Sequence, residues 1–408
     1  MKFIEFAEIN PKVIIKRGQE IPFIPMDEID PARRYVHAKQ AKRFGGGGSK
    51  FHAGDTLFAR ITPCLENGKI AQFTGDKSEL GFGSTEFIVF RAKPRIADPS
   101  YLFYLARTEI IRGPAEKSMS GASGRQRAEA DVIKNIEVNV PPFSVQTRIA
   151  SILSAYDDLI ENNLRRIKIL EEMAQLLYRE WFVKFRFPGY EKVRMVDSPL
   201  GEIPEGWSIR RFTEAVMINP PIVVSRDNEL PFVAMGGLST NSMLVEISEH
   251  RRAKGGSRFQ NGDTLFARIT PCLENGKTGF VQFLQDRSSI GIGSTEFLVF
   301  RSKTLCPEFV YLLARSEDLR NTAIKSMTGA SGRQRVQVAC FQEYFFPHPP
   351  VGLLSIFSSM VSPVFLHIQA LAKINMNLRQ TRDLLIPKLI SGELDVSDMD
   401  IKIKEDLG

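Results

Sequence analysis

The sequence predicts an α+β protein: two mixed α/β domains joined by two long helices, which form an antiparallel coiled coil with an internal pseudo-two-fold axis. Three observations predict this fold. The block Ser118–Arg127 returns almost letter for letter as Ser326–Arg335, a shift of 326 − 118 = 208 residues. A proline pair ends the mixed segment of each half, at Pro141–Pro142 and Pro349–Pro350. After each pair, apolar residues recur at steps of four and three, which is typical of a coiled-coil seam.

Two further blocks support a duplicated domain. Gly54–Lys69 returns as Gly262–Lys277 at the same shift, and Gly83–Phe87 returns as Gly293–Phe297, two residues later than that shift predicts. Solenoid repeats span only a few tens of residues, so a period of half the chain indicates a whole domain written twice.

Composition limits the classes of function. At 408 residues, with 43% hydrophobic and 25% charged residues, the chain is expected to fold as two or three soluble domains. A net charge of +7 agrees with nucleic-acid binding, although many basic proteins simply carry solvated charge. The opening residues contain no long apolar core of the kind a secretion signal has, so we do not expect secretion, and no apolar run reaches the roughly 18 residues of a membrane span. We therefore expect a cytoplasmic protein with no membrane partner.

The cysteines and histidines do not predict a metal site. The four cysteines form no Cys-x-x-Cys pair, and the five histidines show no metal-ligand spacing. We expect reduced, buried thiols at Cys64, Cys272, Cys306 and Cys340.

The pattern divides the chain into successive segments. They are a first mixed domain at 1–142, a first helix at 143–190, a second mixed domain at 191–350 with its entry linker at 191–207, a second helix at 351–396, and a tail at 397–408. Within the first domain, Thr85–Phe90 and Ile136–Val140 read as strands. Tyr101–Arg107 and its counterpart Phe309–Arg315 read as short buried helices.

The two helical seams have the same register. The first contains Ile149, Leu153, Tyr156, Ile160, Asn163, Ile167, Leu170, Ala174, Leu177 and Trp181. The second contains Phe357, Val361, Val364, Ile368, Leu371, Asn375, Leu378, Arg382, Leu385 and Leu389. If Asn163 faces Asn375 across an antiparallel pair, every other seam position pairs as well, including Ile149 with Leu389, Ile160 with Leu378, Ile167 with Leu371, Leu170 with Ile368, and Trp181 with Phe357. A polar seam residue typically fixes register. Alternatively, each asparagine faces water or caps a break.

Two prolines predict an interruption of the second helix. Proline lacks the backbone N–H that a helix interior requires. We therefore expect the second helix to start near Pro363 with Ser362 as its cap, and to bend or end near Pro387.

The order of these motifs resembles the specificity subunit of type I restriction-modification systems. The likeness rests on the Gly-Asp-x-Leu-Phe-Ala-Arg block, the Gly-x-Ser-Gly-Arg-x-Arg block leading to the proline pair, and Gln146 at the start of the first helix. Leu200–Trp207, which enters the second half, and Leu384–Leu394, which closes the second helix, complete it. The second helix has no counterpart of Gln146, so the local contact of that glutamine should be missing there.

The resemblance implies a non-catalytic subunit that reads a split DNA target. Each mixed domain would be a target-recognition domain for one half-site, and the helices would hold the two domains apart. The subunit would join two methyltransferase subunits and, in the full assembly, two translocase-nuclease restriction subunits. The resemblance assigns S-adenosylmethionine, ATP and Mg to those partners and no cofactor to this chain.

We expect the shared blocks to contact DNA. Small residues allow close backbone approach, while hydroxyl, backbone N–H and arginine groups offer donors to phosphate or guanine. The candidates in the first half are Arg60, Thr62, Lys69, Ser84, Thr85, Ser118, Ser120, Ser123, Gly124, Arg125, Gln126 and Arg127. Those in the second half are Arg268, Thr270, Lys277, Ser294, Thr295, Ser326, Thr328, Ser331, Gly332, Arg333, Gln334 and Arg335. The alternative is that these blocks are only turns with solvated arginines, or a turn that leads into a strand.

Segments that differ between the halves are expected to carry base choice. Asp27–Arg43 and Gly236–Arg252 differ in amino-acid sequence, which predicts an asymmetric bipartite target. Two domains on one face of a duplex favour half-sites about 10 base pairs apart, centre to centre. Faces of the first helix away from the seam, with Leu164, Leu176 and Phe182, are candidate docking surfaces, although Phe182 could equally pack on its own domain.

Two other classes of function compete with this interpretation. Asn219–Ile222 nearly spells the Asn-Pro-Pro-aromatic motif of adenine methyltransferases, but isoleucine replaces the aromatic residue, and we interpret Asn219 as a turn residue. No Walker-type phosphate loop is present in the sequence. A stand-alone DNA-binding regulator remains the second alternative.

Overall fold

The computed structural model describes residues 1–76, 79–122 and 124–399, and the chain divides into two compact units. The first unit comprises Met1–Asn162 and the chain from Asn375 onward, and the second comprises Asn163–Ile374. Each unit therefore contains one mixed domain and parts of both long helices.

The first unit contains two sheets. Its strands are β1 (Ala7–Ile9), β2 (Glu20–Ile24), β3 (Tyr35–Val36), β4 (Gln40–Arg43), β5 (Ser49–His52), β6 (Thr56–Ala59), β7 (Ile70–Phe73), β8 (Leu80–Gly83) and β9 (Phe87–Ala92). One sheet has the order β1-β9-β6-β7-β3, and the other has the order β4-β2-β8-β5. The helices that follow the α1 turn (Phe3–Phe6) are α2 (Pro99–Arg107), α3 (Glu109–Lys117), α4 (Ala130–Lys134) and α5 (Phe143–Tyr178).

The second unit repeats this topology. Its strands are β10 (Met195–Val196), β11 (Ile203–Pro204), β12 (Ser208–Arg211), β13 (Val216–Ile218), β14 (Glu229–Val233), β15 (Glu249–Arg252), β16 (Ser257–Phe259), β17 (Thr264–Ala267), β18 (Thr278–Phe280), β19 (Gly291–Gly293), β20 (Phe297–Ser302) and β21 (Phe345–His348). Its sheet β15-β14-β19-β16 matches β4-β2-β8-β5, and its sheet β13-β20-β17-β18 matches β1-β9-β6-β7 but has no counterpart of β3. Its helices are α6 (Phe212–Ala215), α7 (Pro307–Ala314), α8 (Glu317–Lys325) and α9 (Val351–Ser391). The duplicated sequence therefore encodes the same pair of sheets twice.

The Gly-Asp-Thr-Leu-Phe-Ala block forms a turn and then a central strand, as its alternative interpretation predicted. Gly54 has a φ of +90°, which favours glycine, and all four residues of β6 are buried. Asp55 accepts a hydrogen bond from the His52 backbone and forms a 2.6 Å ion pair with Arg91 of β9. The block therefore holds the centre of the sheet.

Helix α2 confirms the predicted short buried helix. Pro99 stands at its first turn, and the Asp98 carboxylate accepts hydrogen bonds from the backbone N–H groups of Ser100 and Tyr101. Its counterpart α7 begins after Cys306, which provides no such side-chain cap. By contrast, the predicted strand Ile136–Val140 is reduced to an isolated bridge between Glu137 and Lys2.

Gln146 ties the start of α5 to the loop before α2. Its amide accepts from the Asp98 N–H at 3.0 Å and donates to the carbonyls of Ile96 and Pro141. The equivalent residue of α9 is Leu354, which is buried in the apolar core of the second unit. The polar contact expected to be missing there is replaced by apolar packing.

Each seam keeps the same burial pattern along its helix. Position by position, the ten residues of each seam are buried or half-buried in the same order. Within the first unit, Asn375 Nδ2 donates to the carbonyl of Ile160 at 3.3 Å. Within the second, the ring centroids of Trp181 and Phe357 lie 5.9 Å apart, as the seam pairing predicts. In the first unit Arg148 contacts Ser397 while Ile160 contacts Asn375, and in the second unit Arg166 contacts His367 while Trp181 contacts Phe357. The helix portions therefore run in opposite directions inside each unit.

The prolines do not interrupt α9, so the prediction of a helix start at Pro363 and an end near Pro387 was wrong. The α-helix is continuous from Val351 to Ser391, and it ends at Gly392, whose φ is +78°. Both prolines are exposed. The residues four positions earlier, whose carbonyls the prolines leave without a helical partner, are also exposed, so water can satisfy those carbonyls.

Helix α5 is shorter than the predicted segment 143–190. It ends at Tyr178 and continues as one π-helical turn, Arg179–Val183. By length and composition alone, α9 could cross a membrane, with a mean hydropathy of 1.8 over its most apolar stretch. Its buried residues, among them Phe357 and Leu389, belong instead to the hydrophobic cores of the two units.

Candidate nucleic-acid interface

The Gly-x-Ser-Gly-Arg-x-Arg block forms a closed loop in each unit, which we call the arginine loop (Ser120–Arg127 and Thr328–Arg335). In the first unit, the backbone groups of Ser120 and Arg127 exchange hydrogen bonds of 3.1 and 2.9 Å. Thr328 and Arg335 exchange bonds of the same two lengths. Ser123 lies outside the described residues. The duplication therefore preserves the geometry of the loop and not only its sequence.

Two glycines allow each loop to turn. Gly121 and Gly124 have φ values of +123° and +78°, and their counterparts Gly329 and Gly332 have +125° and +79°. Side chains other than glycine rarely adopt this conformation. The loop therefore requires glycine at these positions. Its backbone conformation alone explains why both halves have these two glycines, and no ligand is needed to explain them.

The loop is attached to the segment that follows the central strand. The backbone N–H of Thr62 donates to the Gln126 carbonyl at 3.0 Å, and the N–H of Ala128 donates to the Arg60 carbonyl at 2.7 Å. In the second unit, Thr270 and Gln334 form the same bond at 3.1 Å. The structure thus brings together three sequence-predicted groups: Arg60, Thr62 and the arginine loop.

Glu86 fixes the last arginine of the loop. The Arg127 guanidinium donates through Nε and Nη2 to both carboxylate oxygens of Glu86, with the shortest contact at 2.6 Å. Arg335 and Glu296 repeat this pair at 2.6 Å. The hydrogen bonds from Arg127 hold the pKa of the Glu86 carboxyl below its usual range, as those from Arg335 do for Glu296. Both carboxylates are therefore charged at neutral pH.

Arg125 and Arg333 are the free cations of the two loops. Both residues are exposed, and neither forms an ion pair with any residue that the structure describes. The outer arginine of each pair therefore stays available to an anionic ligand, while the inner arginine, Arg127 or Arg335, is neutralised by its glutamate.

Several predicted contact residues have structural partners instead. The Lys69 ammonium donates to the Met26 carbonyl at 2.9 Å, and Lys277 donates to the Met235 carbonyl at 3.0 Å. The Ser118 hydroxyl donates to the Ala115 carbonyl at the end of α3. Ser326 repeats that contact with Ala323. These bonds account for the presence of the lysines and serines without DNA.

The corner after β8 in the first unit, and after β19 in the second, is a turn. The Ser84 hydroxyl accepts from the Glu86 backbone N–H at 3.2 Å, and Ser294 accepts from Glu296 at the same distance. Thr85 and Thr295 are exposed at the tips of these turns. Ser331 and Gly332 are likewise exposed on the second arginine loop.

Sequence reasoning missed a cation held on an aromatic ring in each unit. Lys42 Nζ lies 4.0 Å from the ring centroid of Phe23, and the Arg251 guanidinium carbon lies 3.2 Å from that of Phe232. A shift of 209 residues relates both cations and both rings. The faint echo of Pro-Phe at residues 22–23 and 231–232 was the signal that could have found this pair.

Phe182 is buried, which corrects its place among the candidate docking residues. Its ring centroid lies 4.7 Å from those of Phe309 and Phe357. Leu176 is 49% exposed and Leu164 is half-buried. The exposed apolar face of α5 in the second unit therefore consists of Ile169, Met173 and Leu176.

The cysteine prediction is only partly correct, because all four thiols are free but half-buried rather than buried. Within residues 1–76, 79–122 and 124–399, no three His, Cys, Asp or Glu side chains come together as metal ligands. Asn219 has a φ of +50°, and its side chain accepts from the Val299 backbone N–H at 3.0 Å. Asn10 makes the same contact with Val89 in the first unit. Both asparagines are therefore turn residues at a sheet edge.

The fold defines a protein with two mixed α/β domains, each of which carries the same arginine loop. The model of the type I restriction modification DNA specificity domain matches residues 50–172. The MjaIX specificity subunit of Methanocaldococcus jannaschii is 26% identical over 313 residues, which cover 73% of this chain and 70% of that protein. These matches make the chain similar to the specificity subunits of type I restriction-modification systems.

Two further comparisons agree with this family. The EcoEI specificity subunit of Escherichia coli is 35% identical over 156 residues, which cover 36% of this chain and 26% of that protein. The crystal structure of the type I restriction-modification S subunit from M. genitalium covers 95% of both chains, with a TM-score of 0.50 and 12% identity. At that identity the structural likeness concerns the fold alone.

Proposed function

We propose that this chain is the DNA-reading subunit of a type I restriction-modification complex. Each mixed domain reads one half of a bipartite, asymmetric target. The observation that carries the proposal is the arginine loop, which has the same backbone bonds, the same glutamate-bound arginine and the same free arginine in both units. Two copies of one cationic loop suit two phosphate backbones or two guanines.

The shared and differing residues divide the task of recognition. Phosphate geometry is the same at every sequence, so the shared loops with Arg125 and Arg333 are suited to hold the backbone. Base edges differ from site to site, so the segments that differ between the units are suited to carry base choice. This division predicts an asymmetric target.

The long helices are proposed to form an antiparallel coiled coil and to set the distance between half-sites. In the second unit the seam residues Ile167 and Leu371 belong to one hydrophobic core, and in the first unit Ile149 and Leu389 do. The proposed register places Asn163 opposite Asn375, with the two domains related by a pseudo-two-fold axis. Half-sites about 10 base pairs apart, centre to centre, would then lie on one face of the duplex.

Exposed apolar side chains on the helices favour docking of partner proteins. Ile169, Met173 and Leu176 are 49%, 55% and 49% exposed and follow at steps of four and three, which places them on one face of α5. A spacer without partners has no need of such a stripe. We propose that it binds a methyltransferase subunit, with a second such subunit and the restriction subunits completing the assembly.

The chain itself is proposed to be non-catalytic and cytoplasmic. Methylation with S-adenosylmethionine and cleavage driven by ATP and Mg belong to the partner subunits in this proposal. The turn geometry of Asn219 argues against a methyltransferase site at the only motif that suggested one.

Selection from a library of random-sequence DNA duplexes tests the proposal. The full chain should enrich two short, different sequence blocks separated by a spacer of fixed length and free sequence. One block, or none, would contradict it. For docking, Met173→Asp should abolish co-purification with a co-expressed type I methyltransferase subunit that the unchanged chain retains, whereas the matched exposed change Lys168→Asp should not.

A further inference from the structure

The exposed edge strands β4 and β15 occupy the same place in the two units. Each pairs antiparallel with the next strand of its sheet, and in each case all four residues are exposed. Gln40 lies opposite Phe23 in this register, and Glu249 lies opposite Phe232. The same structural position therefore carries an amide in one unit and a carboxylate in the other.

The preceding part of the differing segment has another explanation. Arg33 forms a bidentate ion pair with Glu161 of α5, and the Tyr35 hydroxyl donates to Asp158 at 3.1 Å. In the second unit, the equivalent stretch is held by the buried carboxylate of Glu171. These residues differ because they pack on different helix surfaces. The edge strand is therefore the exposed part of the differing segment that can contact a ligand.

The cation on each edge strand is fixed on a ring. Lys42 lies over Phe23 and Arg251 lies over Phe232, so a positive charge is held at this edge in both units. Arg251 also forms a 3.6 Å ion pair with Glu249, two residues earlier. Residues two apart on a strand share one side of the sheet, so the amide or carboxylate and the cation form one reading face.

This face lies at the same end of the sheet as the arginine loop. The strand β2 between them pairs in parallel with β8, matching Ile24 with Gly83, and the Ser84 N–H donates to the Ile24 carbonyl at 3.1 Å. Gln40 is therefore two strands, or about 10 Å, from the corner that leads to Glu86 and its arginine. A single duplex segment can contact both.

We propose that Gln40 and Glu249 discriminate bases in the first and second half-sites, an inference that rests on the proposed function. A glutamine amide pairs with adenine through its N6 and N7 positions, whereas a carboxylate accepts from the N4 amino group of cytosine. Lys42, held on its ring, neutralises an adjoining phosphate, whereas Arg251 lies between Phe232 and Glu249 and positions that carboxylate. The asymmetry of the target then originates at this one structural position.

The reciprocal variants Gln40→Glu and Glu249→Gln test the proposal by selection from the random-sequence duplex library. Gln40→Glu should change one position of the first block from adenine to cytosine, with a preference of about tenfold, and leave the second block unchanged. Glu249→Gln should make the opposite change in the second block only. Both exchanges are isosteric and exposed, and circular dichroism checks that the fold is kept.

Matched controls separate base reading from simple charge. Glu20→Gln and Glu229→Gln make the same chemical change at the far ends of the same strand pairs, at exposed residues. They should leave both selected blocks unchanged. If the Gln40→Glu and Glu249→Gln chains select the wild-type blocks, the base assignment is wrong, and these edge charges serve only to prevent strand pairing with other chains. A wild-type chain that selects no sequence would overturn the proposed function itself.

Discussion

Arg382 and Asp157 form an ion pair in the core of the first unit, where their side chains are only 1% and 2% exposed. The Tyr104 hydroxyl donates to the other oxygen of the same carboxylate. At the equivalent positions of the second unit stand Ala174, Phe365 and Leu312, all buried in its apolar core. The same fold therefore accommodates either a buried ion pair or apolar side chains at these three positions.

The stability of the first unit should depend on both charges together. Arg382→Ala leaves a buried carboxylate without its partner and should cost about 3–5 kcal/mol of unfolding free energy. The triple variant Tyr104→Leu, Asp157→Phe, Arg382→Ala installs the side chains of the second unit and should lose much less. Urea denaturation followed by circular dichroism measures both. A triple variant less stable than Arg382→Ala would contradict this explanation.

Arg125 should supply a sequence-independent part of DNA affinity. Its free guanidinium is suited to a phosphate, so Arg125→Ala should weaken binding by a similar factor at every sequence and lower the salt dependence by about one charge. Competition binding with single-base variants measures this, and Arg333→Ala is the matched change in the second unit. Relaxed choice at one base pair would assign the arginine to guanine, and unchanged affinity would remove it from the site.

Glu86 should oppose DNA binding while it orders the loop. Its charge is retained at neutral pH because Arg127 lowers its pKa, so the ion pair is lost only as the pH falls through that lowered value. Glu86→Gln keeps a hydrogen-bond acceptor but removes the negative charge. We expect higher affinity for all sequences and a steeper salt dependence. Binding titrations at two salt concentrations measure this, and a change confined to one base pair would instead identify Glu86 as a base contact.

The proposed helix ruler predicts a change of spacer. Inserting one heptad into both α5 and α9 keeps their seams in register and lengthens each by about 10 Å. The selected DNA blocks should move apart, while their sequences stay the same. Inserting the heptad into α5 alone disrupts the register and serves as the control. An unchanged spacer in the double insertion would refute the ruler.

The sequence predicted those features that leave a repeated pattern in it. Duplicated blocks predicted a duplicated topology, and the steps of four and three predicted which positions of α5 and α9 are buried, because burial follows helix periodicity. Pro363 and Pro387 misled the prediction, since a long helix with many buried contacts tolerates a proline on its exposed side.

Contacts between distant parts of the chain were not predictable. Arg127 was a candidate contact residue, but 41 residues separate it from its partner Glu86, and only the sheet brings the two together. The cations of the two cation–ring pairs lie in segments whose sequences differ between the halves. Only the strand pairing gives the register that shows Lys42 and Arg251 to be equivalent.

Lys69 and Lys277 attach an invariant block to a variable one. Each ammonium binds a main-chain carbonyl, of Met26 or Met235, immediately before the segment that differs between the halves. A main-chain acceptor exists whatever side chain stands there. The attachment therefore does not depend on which side chains the differing segment carries. The sequence of that segment, and with it the proposed base preference, can change while the two sheets stay the same.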